Sequence, residues 1–321
     1  MAKLTSWVVG AIAVATTALP ASGQTFPSRS LKFIVPFAAG SATDALARIV
    51  GDHVSKTLGQ PVVVENVAGA SGVVAAQNVA RAEPDGNTIL VTTNTTHGAN
   101  QSLLKRVPYD AEKDFEPVTK LGTITLALIA NPKVPAKSVQ ELVAYAKANP
   151  GKLSFGSGSS SSRIAGEMLK TRAGIDILHV PYRSNPQAVT DLLGGNIQLF
   201  FADISTTLPQ VRAGAATGLA VSTAKRSPLA PDLPTMSEAG VPGYDLAAWF
   251  AAFVPANTPA PIVAKLREAM VAAVSDKTGA EKLLAAGIEP ETSTPEELRG
   301  FVKAEIAKWA EIVKEAGIEP Q

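Results

Sequence analysis

Two loops in this sequence carry residue types that can bind an anion through backbone groups. The first is PFAAGSATD, in which Ser41 can cap a helix and Asp44 falls in the first turn of that helix. Small, nearly uncharged residues before a helix leave N–H groups open to a negative ligand. Phe37 either lies against the ligand or packs beneath the loop. The predicted contacts are Phe37, Ala38, Ala39, Gly40, Ser41, Ala42, Thr43 and Asp44.

The second loop lies within KLSFGSGSSSSRIAGEML and also follows a strand-like run. Gly156 and Gly158 allow the backbone to approach a ligand closely, and the serines offer hydroxyls and a helix cap. In open α/β sheets, ligands bind at the carboxyl ends of strands. A flexible polar turn is the alternative interpretation. The predicted contacts are Gly158, Ser159, Ser160, Ser161 and Ser162.

Three longer side chains complete the predicted site: Arg163, Tyr182 and Asp203. Arg163 lies in the first turn of the next helix, where a cation opposes the helix dipole. We therefore expect its guanidinium to bind a group outside that helix. Its planar fork suits a carboxylate. A surface ion pair with Glu167 is the alternative. Tyr182 and Asp203 either reach the cleft or serve as turn and capping residues.

Neither loop matches a nucleotide-binding or hydrolytic motif. The first has Gly40 alone, where a dinucleotide fingerprint needs G-x-G-x-x-G, and no lysine follows Gly158 as it would in a P-loop. Gly156-Ser157-Gly158 does not fit the G-x-S-x-G of a nucleophile elbow.

The three histidines, His53, His97 and His179, stand singly, without an H-E-x-x-H pair. The chain has no cysteine, which excludes disulfides, a thiol nucleophile and thiolate metal sites. We therefore expect no metal and no cofactor. A secreted serine-type hydrolase that uses a loop serine with His97 or His179 is the alternative function.

Composition indicates a globular protein of two lobes. The chain has 321 residues, 46% hydrophobic and 18% charged, and this length suits two cores rather than one. Its net charge of +1 argues against a general nucleic-acid binder.

Strand-like and helical runs alternate along the chain, which predicts parallel sheets covered by helices. Leu46, Ile49, Val50, Val54 and Leu58 share one face of the helix after the first loop. The predicted strands are Lys32–Pro36, Val62–Glu65, Thr88–Thr92, Leu153–Phe155, Ile177–Val180, Ile197–Phe201 and Gly218–Val221. The other predicted helices are Ser138–Ala148, Ile164–Ala173, Pro186–Leu193, Pro261–Ser275, Ala280–Ala286 and Pro295–Ala316.

Two extended runs, Phe115–Pro132 and Tyr244–Ala256, are long enough to pass from one lobe to the other. They predict that lobe one combines residues 24–122 with 247–321, and that lobe two holds residues 123–246. Such crossings are typical of lobes that close on a ligand by bending at a few extended residues.

The N-terminal segment is typical of an export signal. Lys3 supplies a positive start, and the apolar run from Trp7 to Ala18 is shorter than the ~20 residues that a spanning helix needs. Small residues at Ala21 and Gly23 predict cleavage before Gln24. We expect a secreted, soluble protein from which residues 1–23 are removed.

Several longer stretches resemble the Bug-type substrate-binding receptors of tripartite tricarboxylate transporters. The likeness extends over essentially the whole chain after the N-terminal segment, with the motifs in the same order. The stretches that carry it are IVPFAAGSATDALARIV, VVVENVAGASGVVAAQNVARAEPDGNTILVTT, HVPYRSNPQAVTDLLGGNIQLFFADI, AVSTAKRSPLAPDLPTMSEAGVPGY and WFAAFVPANTPAPIV.

This resemblance implies a two-lobed α/β fold of the periplasmic-binding-protein type (type II). Each lobe is then a mostly parallel sheet flanked by helices, with a ligand cleft between the lobes. It implies a periplasmic, non-enzymatic receptor that is expected to be a monomer. Its expected ligand is a small carboxylate, for example an aromatic acid or a dicarboxylic acid. The receptor would deliver this ligand to two membrane subunits of the transporter. No nucleic-acid partner is expected. A ligand-sensing subunit of a signalling system is a further alternative, because the same fold serves both roles.

Overall fold

The computed structural model describes residues 26–320, which contain ten strands. The predicted signal segment and its cleavage point lie outside these residues. Every predicted strand run overlaps an observed strand. The strands are β1 (Leu31–Val35), β2 (Val62–Asn66), β3 (Thr88–Thr93), β4 (Phe115–Ala130), β5 (Leu153–Ser157), β6 (Ile177–Pro181), β7 (Leu199–Asp203), β8 (Thr217–Val221), β9 (Ala247–Pro255) and β10 (Glu289–Pro290).

Helices connect most of these strands. Within residues 26–320, none is long and apolar enough to cross a membrane. They are α1 (Ala42–Leu58), α2 (Val73–Ala80), α3 (Asn100–Leu103), α4 (Val139–Ala148), α5 (Ser160–Ala173), α6 (Asn185–Gly194), α7 (Ile204–Arg212), α8 (Ala260–Ser275), α9 (Lys277–Ala285) and α10 (Pro295–Glu315).

The strands form two mixed sheets that share β4. In lobe one the order is β2-β1-β3-β9-β4, with β1 parallel to β2 and β3, and with β9 antiparallel to β3 and β4. In lobe two, β5 is parallel to β6 and β7, while β4 runs antiparallel to β7 and β8. The parallel strands expected from the sequence are thus joined by antiparallel crossing strands.

The two extended runs are the connections between the sheets. β4 pairs with β9 from Phe115 to Thr125 and with β7 from Leu126 to Ala130. On the return, the Leu246 N–H donates to the Ser222 carbonyl of lobe two, and the next residue begins β9. Both passages between the lobes therefore lie side by side as extended backbone.

Hydroxyl caps set where the helices of the two predicted loops begin. The Asp44 N–H donates to Ser41 Oγ at 3.2 Å, which confirms Ser41 as the cap of α1. Ser159 caps α5 through a reciprocal pair of hydrogen bonds with Ser162. Helix α5 consequently begins a turn before Ile164, because serine capping does not register in the apolar periodicity.

Helix α10 packs against both lobes. Leu298 and Val302, near its start, join the lobe-one cluster around Phe115 and Phe253. Trp309, near its end, is fully buried in a cluster made mainly of lobe-two side chains. The helix thus spans the junction beside the crossing strands.

Candidate functional site

A cavity of about 310 Å³ lies between the lobes, where the carboxyl ends of β1, β2 and β3 face those of β5 and β6. Lobe one supplies Phe37, Ala70, Ser71, Gly72, Thr95, Leu103 and Leu104. Lobe two supplies Ser157, Gly158, Ser159, Ser160, Arg163, His179, Pro181, Tyr182 and Arg183.

A second, polar chamber of about 20 Å³ adjoins the cavity, with Phe37 and Ser159 lining both. Its volume is that of about one water molecule. The other residues that line it are Ser41, Thr43, Thr93, Ser161, Ser184, Asn185, Asp203, Ala248 and Phe250.

Hydrogen bonds join the two lobes beside these spaces. The Ala38 N–H donates to Ser184 Oγ, and the Ser160 N–H donates to Thr95 Oγ1, both at 3.3 Å. Asn94 Nδ2 donates to Ser161 Oγ at 3.0 Å. The two loops that the sequence singled out therefore face each other across the cleft, although their ligand contacts stay predictions.

Comparison with known proteins identifies the family to which this chain belongs. The model of the tripartite tricarboxylate transporter family receptor matches residues 46–318. The chain belongs to this receptor family. It is 36% identical to BugT of Bordetella pertussis over 309 residues, 95% of each chain.

Solved structures of similar receptors have the same fold. One is a R. palustris protein with adipate, 36% identical, which matches over 92% of this chain and 100% of its own with a TM-score of 0.90. Another is MatC from Rhodopseudomonas palustris with bound malate, 34% identical, matching over 90% of this chain and 100% of its own with a TM-score of 0.85. The two-lobed periplasmic-binding-protein fold implied by the resemblance is confirmed.

The predicted site residues of this receptor occupy three kinds of position. Phe37, Gly158, Ser159, Ser160, Arg163 and Tyr182 line the larger cavity. Ser41, Thr43, Ser161 and Asp203 line the small chamber. Those that line neither space are Ala38, Ala39, Gly40, Ala42, Asp44 and Ser162.

Asp44 holds the first loop in place. Its carboxylate accepts hydrogen bonds from the Gly40 N–H and from Asn66 Nδ2, each at 3.0 Å, and it pairs with Arg48 at 2.9 Å. Burial alone would raise the pKa of Asp44, but the hydrogen bonds from Arg48, Gly40 and Asn66 outweigh burial and lower it. Asp44 therefore stays ionised, and its charge is matched within lobe one.

Arg163 is half-buried and lines the larger cavity one turn into α5. Burial lowers the pKa of its guanidinium, while the charge of Glu167 on the same helix raises it. Glu167 also pairs with Lys170 at 3.6 Å. A guanidinium has five N–H donors, so Arg163 can face Glu167 and a cleft ligand at once.

Sequence reasoning missed the turn from Ala70 to Gly72, which lines the cavity. Its three residues have positive φ angles of 45°, 52° and 75°. A Cβ at Gly72 would lie 2.8 Å from Pro36 Cβ, so only glycine fits against the first loop. The turn follows β2, so the strand-end rule that found the other loops would have found it too.

His97 is part of the lobe-one core. It is fully buried and stacks on Phe253 with ring centroids 4.0 Å apart, and burial lowers its pKa to about 3. It lines neither space.

His179 lies in the larger cavity, with its Nε2 2.7 Å from Ser157 Oγ. Burial, with the charges of Arg163 and Lys170, lowers the pKa of His179 to about 4. The pair has the spacing of a serine nucleophile and its base, yet a base with so low a pKa is weak at neutral pH. Among residues 26–320, no group of three or more His, Cys, Asp or Glu side chains could hold a metal.

Asp203 ends β7 in the small chamber, where Asn185 Nδ2 donates to its Oδ2 at 3.0 Å. Its side chain makes no capping hydrogen bond to α7. Burial raises the pKa of Asp203 from 3.8 to about 6, although the Asn185 hydrogen bond lowers it. The folded protein therefore binds this proton more tightly than the unfolded chain does, and stability falls as the pH rises from about 4 to 6.

Asp203→Asn should accordingly stabilise the free receptor at pH 7, by up to ~3 kcal/mol, because the neutral amide avoids burying a charge. The gain should vanish near pH 4, where the wild-type carboxyl is protonated. Urea unfolding at pH 4, 5, 6 and 7 measures this difference. The exposed Asp232→Asn is the control and should change little. A gain in stability that did not depend on pH would contradict the raised pKa of Asp203.

Proposed function

We propose that this protein is a periplasmic receptor that captures a small carboxylate between its lobes and delivers it to the membrane subunits of a tripartite tricarboxylate-type transporter. The observation that carries the proposal is the interlobe cavity of about 310 Å³, bordered by two helix-starting loops from opposite lobes. The similar receptors with adipate and with malate support a carboxylate as ligand.

In this proposal the carboxylate lies between the loops Phe37–Asp44 and Gly156–Ser162. Loop N–H groups are suitable donors, since hydrogen bonds to a charged acceptor are stronger than those between neutral groups. The Ala38 and Ser160 N–H groups donate across the cleft to hydroxyl oxygens at 3.3 Å. A carboxylate oxygen of the ligand can replace these hydroxyls as the acceptor. Phe37 supplies an apolar wall to both spaces.

Closure of the lobes is the second part of the proposal. Residues 24–122 with 247–321 form one lobe, residues 123–246 form the other, and β4 and β9 serve as the hinge. The continuous hydrogen bonding of these strands across the junction restricts bending to a few residues, which is typical of hinge closure.

A binding role agrees better with the cavity than a hydrolytic one does. The Ser157–His179 pair has a short hydrogen bond, but the lowered pKa of His179 leaves it a weak base. We therefore propose that the protein is not an enzyme. We also propose that it acts as a monomer without a cofactor, and that it is exported with removal of residues 1–23. Transport is favoured over sensing because the family is defined by transporter receptors.

Native mass spectrometry of protein exported to the periplasm and purified without refolding tests this function. We expect one small carboxylic acid per chain, released unchanged on denaturation. Adding the acid back to refolded protein should reduce the radius of gyration in X-ray scattering, as the lobes close. A chemically altered product, or an unchanged radius at saturating ligand, would contradict the proposal.

A further inference from the structure

The charges that line the larger cavity are positive. Arg163 and Arg183 lie on its wall, and among the described residues that line it there is no Asp or Glu. Asp203 lines the adjoining small chamber and not the larger cavity. Two acids lie beside this wall without lining the cavity: Asp191 accepts a hydrogen bond from the Tyr182 hydroxyl at 2.7 Å, and Glu167 lies near enough to Arg163 to raise its pKa. The larger cavity therefore favours negative charge over and above what the loop amides contribute.

The two arginines follow neighbouring strands of lobe two: Arg163 lies in the first turn of α5, after β5, and Arg183 lies in the loop after β6. Arg163 is four residues beyond the Ser159 cap of α5, so its Cα lies about one turn, or ~5.4 Å, along the helix. Long side chains on a helix point back toward its N-terminus, which directs Arg163 over the cavity. Arg183 is exposed and follows Tyr182, at the end of β6.

A carboxylate held at the Ser160 amide would share the larger cavity with both arginines, which line the same space. Pro181 and Leu104 line the same cavity and offer apolar contact to a short carbon chain. Arginine binds a carboxylate in a bidentate manner that fixes both position and orientation. A ligand with one acid group would fill the amide end and place no charged group beside the two arginines.

Building on the proposed carboxylate function, we propose that Arg163 and Arg183 form a second anion subsite and determine specificity for a ligand with two acid groups. The first acid group lies at the loop amides and the second faces the guanidinium pair. Selectivity for a diacid over a monoacid of equal length then comes from these two side chains and not from the loops.

Isothermal titration calorimetry with a matched panel tests the subsite. The probes are the unbranched diacids of four to six carbons, each compared with the monoacid of the same carbon number. We expect wild-type protein to bind at least one diacid tenfold or more tightly than its monoacid. Arg163→Gln and Arg183→Gln should each reduce that ratio at least fivefold while leaving monoacid affinity within about threefold. Arg212→Gln, an exposed arginine outside both spaces, is the control and should keep the wild-type ratio.

The outcomes separate the subsite from the proposed function. Equal affinity for diacids and monoacids would overturn the subsite but retain a carboxylate receptor. Arginine variants that keep the wild-type ratio, or that weaken both classes alike, would also overturn it. A protein that binds no acid of the panel would overturn the subsite, while the proposed function would be contradicted only if the exported protein also carried no carboxylic acid in native mass spectrometry.

Discussion

Gly158→Ala is expected to weaken ligand binding by at least 100-fold. A Cβ at this position would lie 2.2 Å from the Ser184 carbonyl carbon and 2.3 Å from the Asn185 nitrogen. Both are backbone atoms, so no side-chain rotation can relieve the overlap. The loop that starts α5 must therefore separate from the loop that starts α6.

That separation would disturb both halves of the site. Ser159 and Ser160 follow Gly158 and line the cavity, while Ser184 accepts the hydrogen bond from the Ala38 amide of lobe one. A 100-fold loss of affinity corresponds to ~2.7 kcal/mol. Calorimetry with the ligand identified by mass spectrometry measures this loss, and thermal melting should show a folded protein with a lower Tm.

Gly300→Ala is the matched control for this substitution. Gly300 lies inside α10, and no atom lies within 4 Å of the place its Cβ would take. Alanine there should leave affinity unchanged and stabilise the helix by ~0.5–1 kcal/mol. Wild-type affinity in Gly158→Ala would show that the second loop does not hold the ligand.

Glu305→Ala is expected to destabilise the protein by ~3–5 kcal/mol, because it would leave two buried indole N–H groups without their acceptor. Glu305 Oε2 accepts a hydrogen bond from Trp249 Nε1 and another from Trp309 Nε1, each at 2.8 Å. The glutamate is 6% exposed, and its other oxygen, Oε1, pairs with the partly exposed Lys308 at 3.4 Å. Trp249 belongs to β9 and Trp309 to α10, so the carboxylate ties a crossing strand to the helix that spans the lobes.

Urea unfolding followed by tryptophan fluorescence measures the effect. Glu305→Gln keeps a neutral acceptor for the indoles and should lose only ~1 kcal/mol, the usual contribution of a neutral hydrogen bond. If Glu305→Ala lay within 1 kcal/mol of wild type, the two indole hydrogen bonds would not be stabilising. A loss as large in Glu305→Gln would mean that charge, rather than an acceptor, is what the indoles require.

Features that depend on a few neighbouring residues could be predicted from the sequence. Ser41 caps α1 because its acceptor and the Asp44 N–H are three residues apart. The extended run from Phe115 is one strand, β4, since its length and apolar character suit no other element. Apolar spacing predicts the start of α5 a turn late, because serines 159–162 carry a capping signal instead of an apolar one.

The sequence by itself determined the alternation of strands and helices, the two loops and the two crossing runs, since each depends on local propensity and apolar spacing. Only the tertiary structure decided which side chains meet. Asp44 binds Asn66 instead of lining the cleft, the Ala70–Gly72 turn lines the cavity, and Arg183 lies with Arg163 on the cavity wall. These contacts are between residues far apart in the chain, and they depend on which strand ends lie side by side in the two sheets.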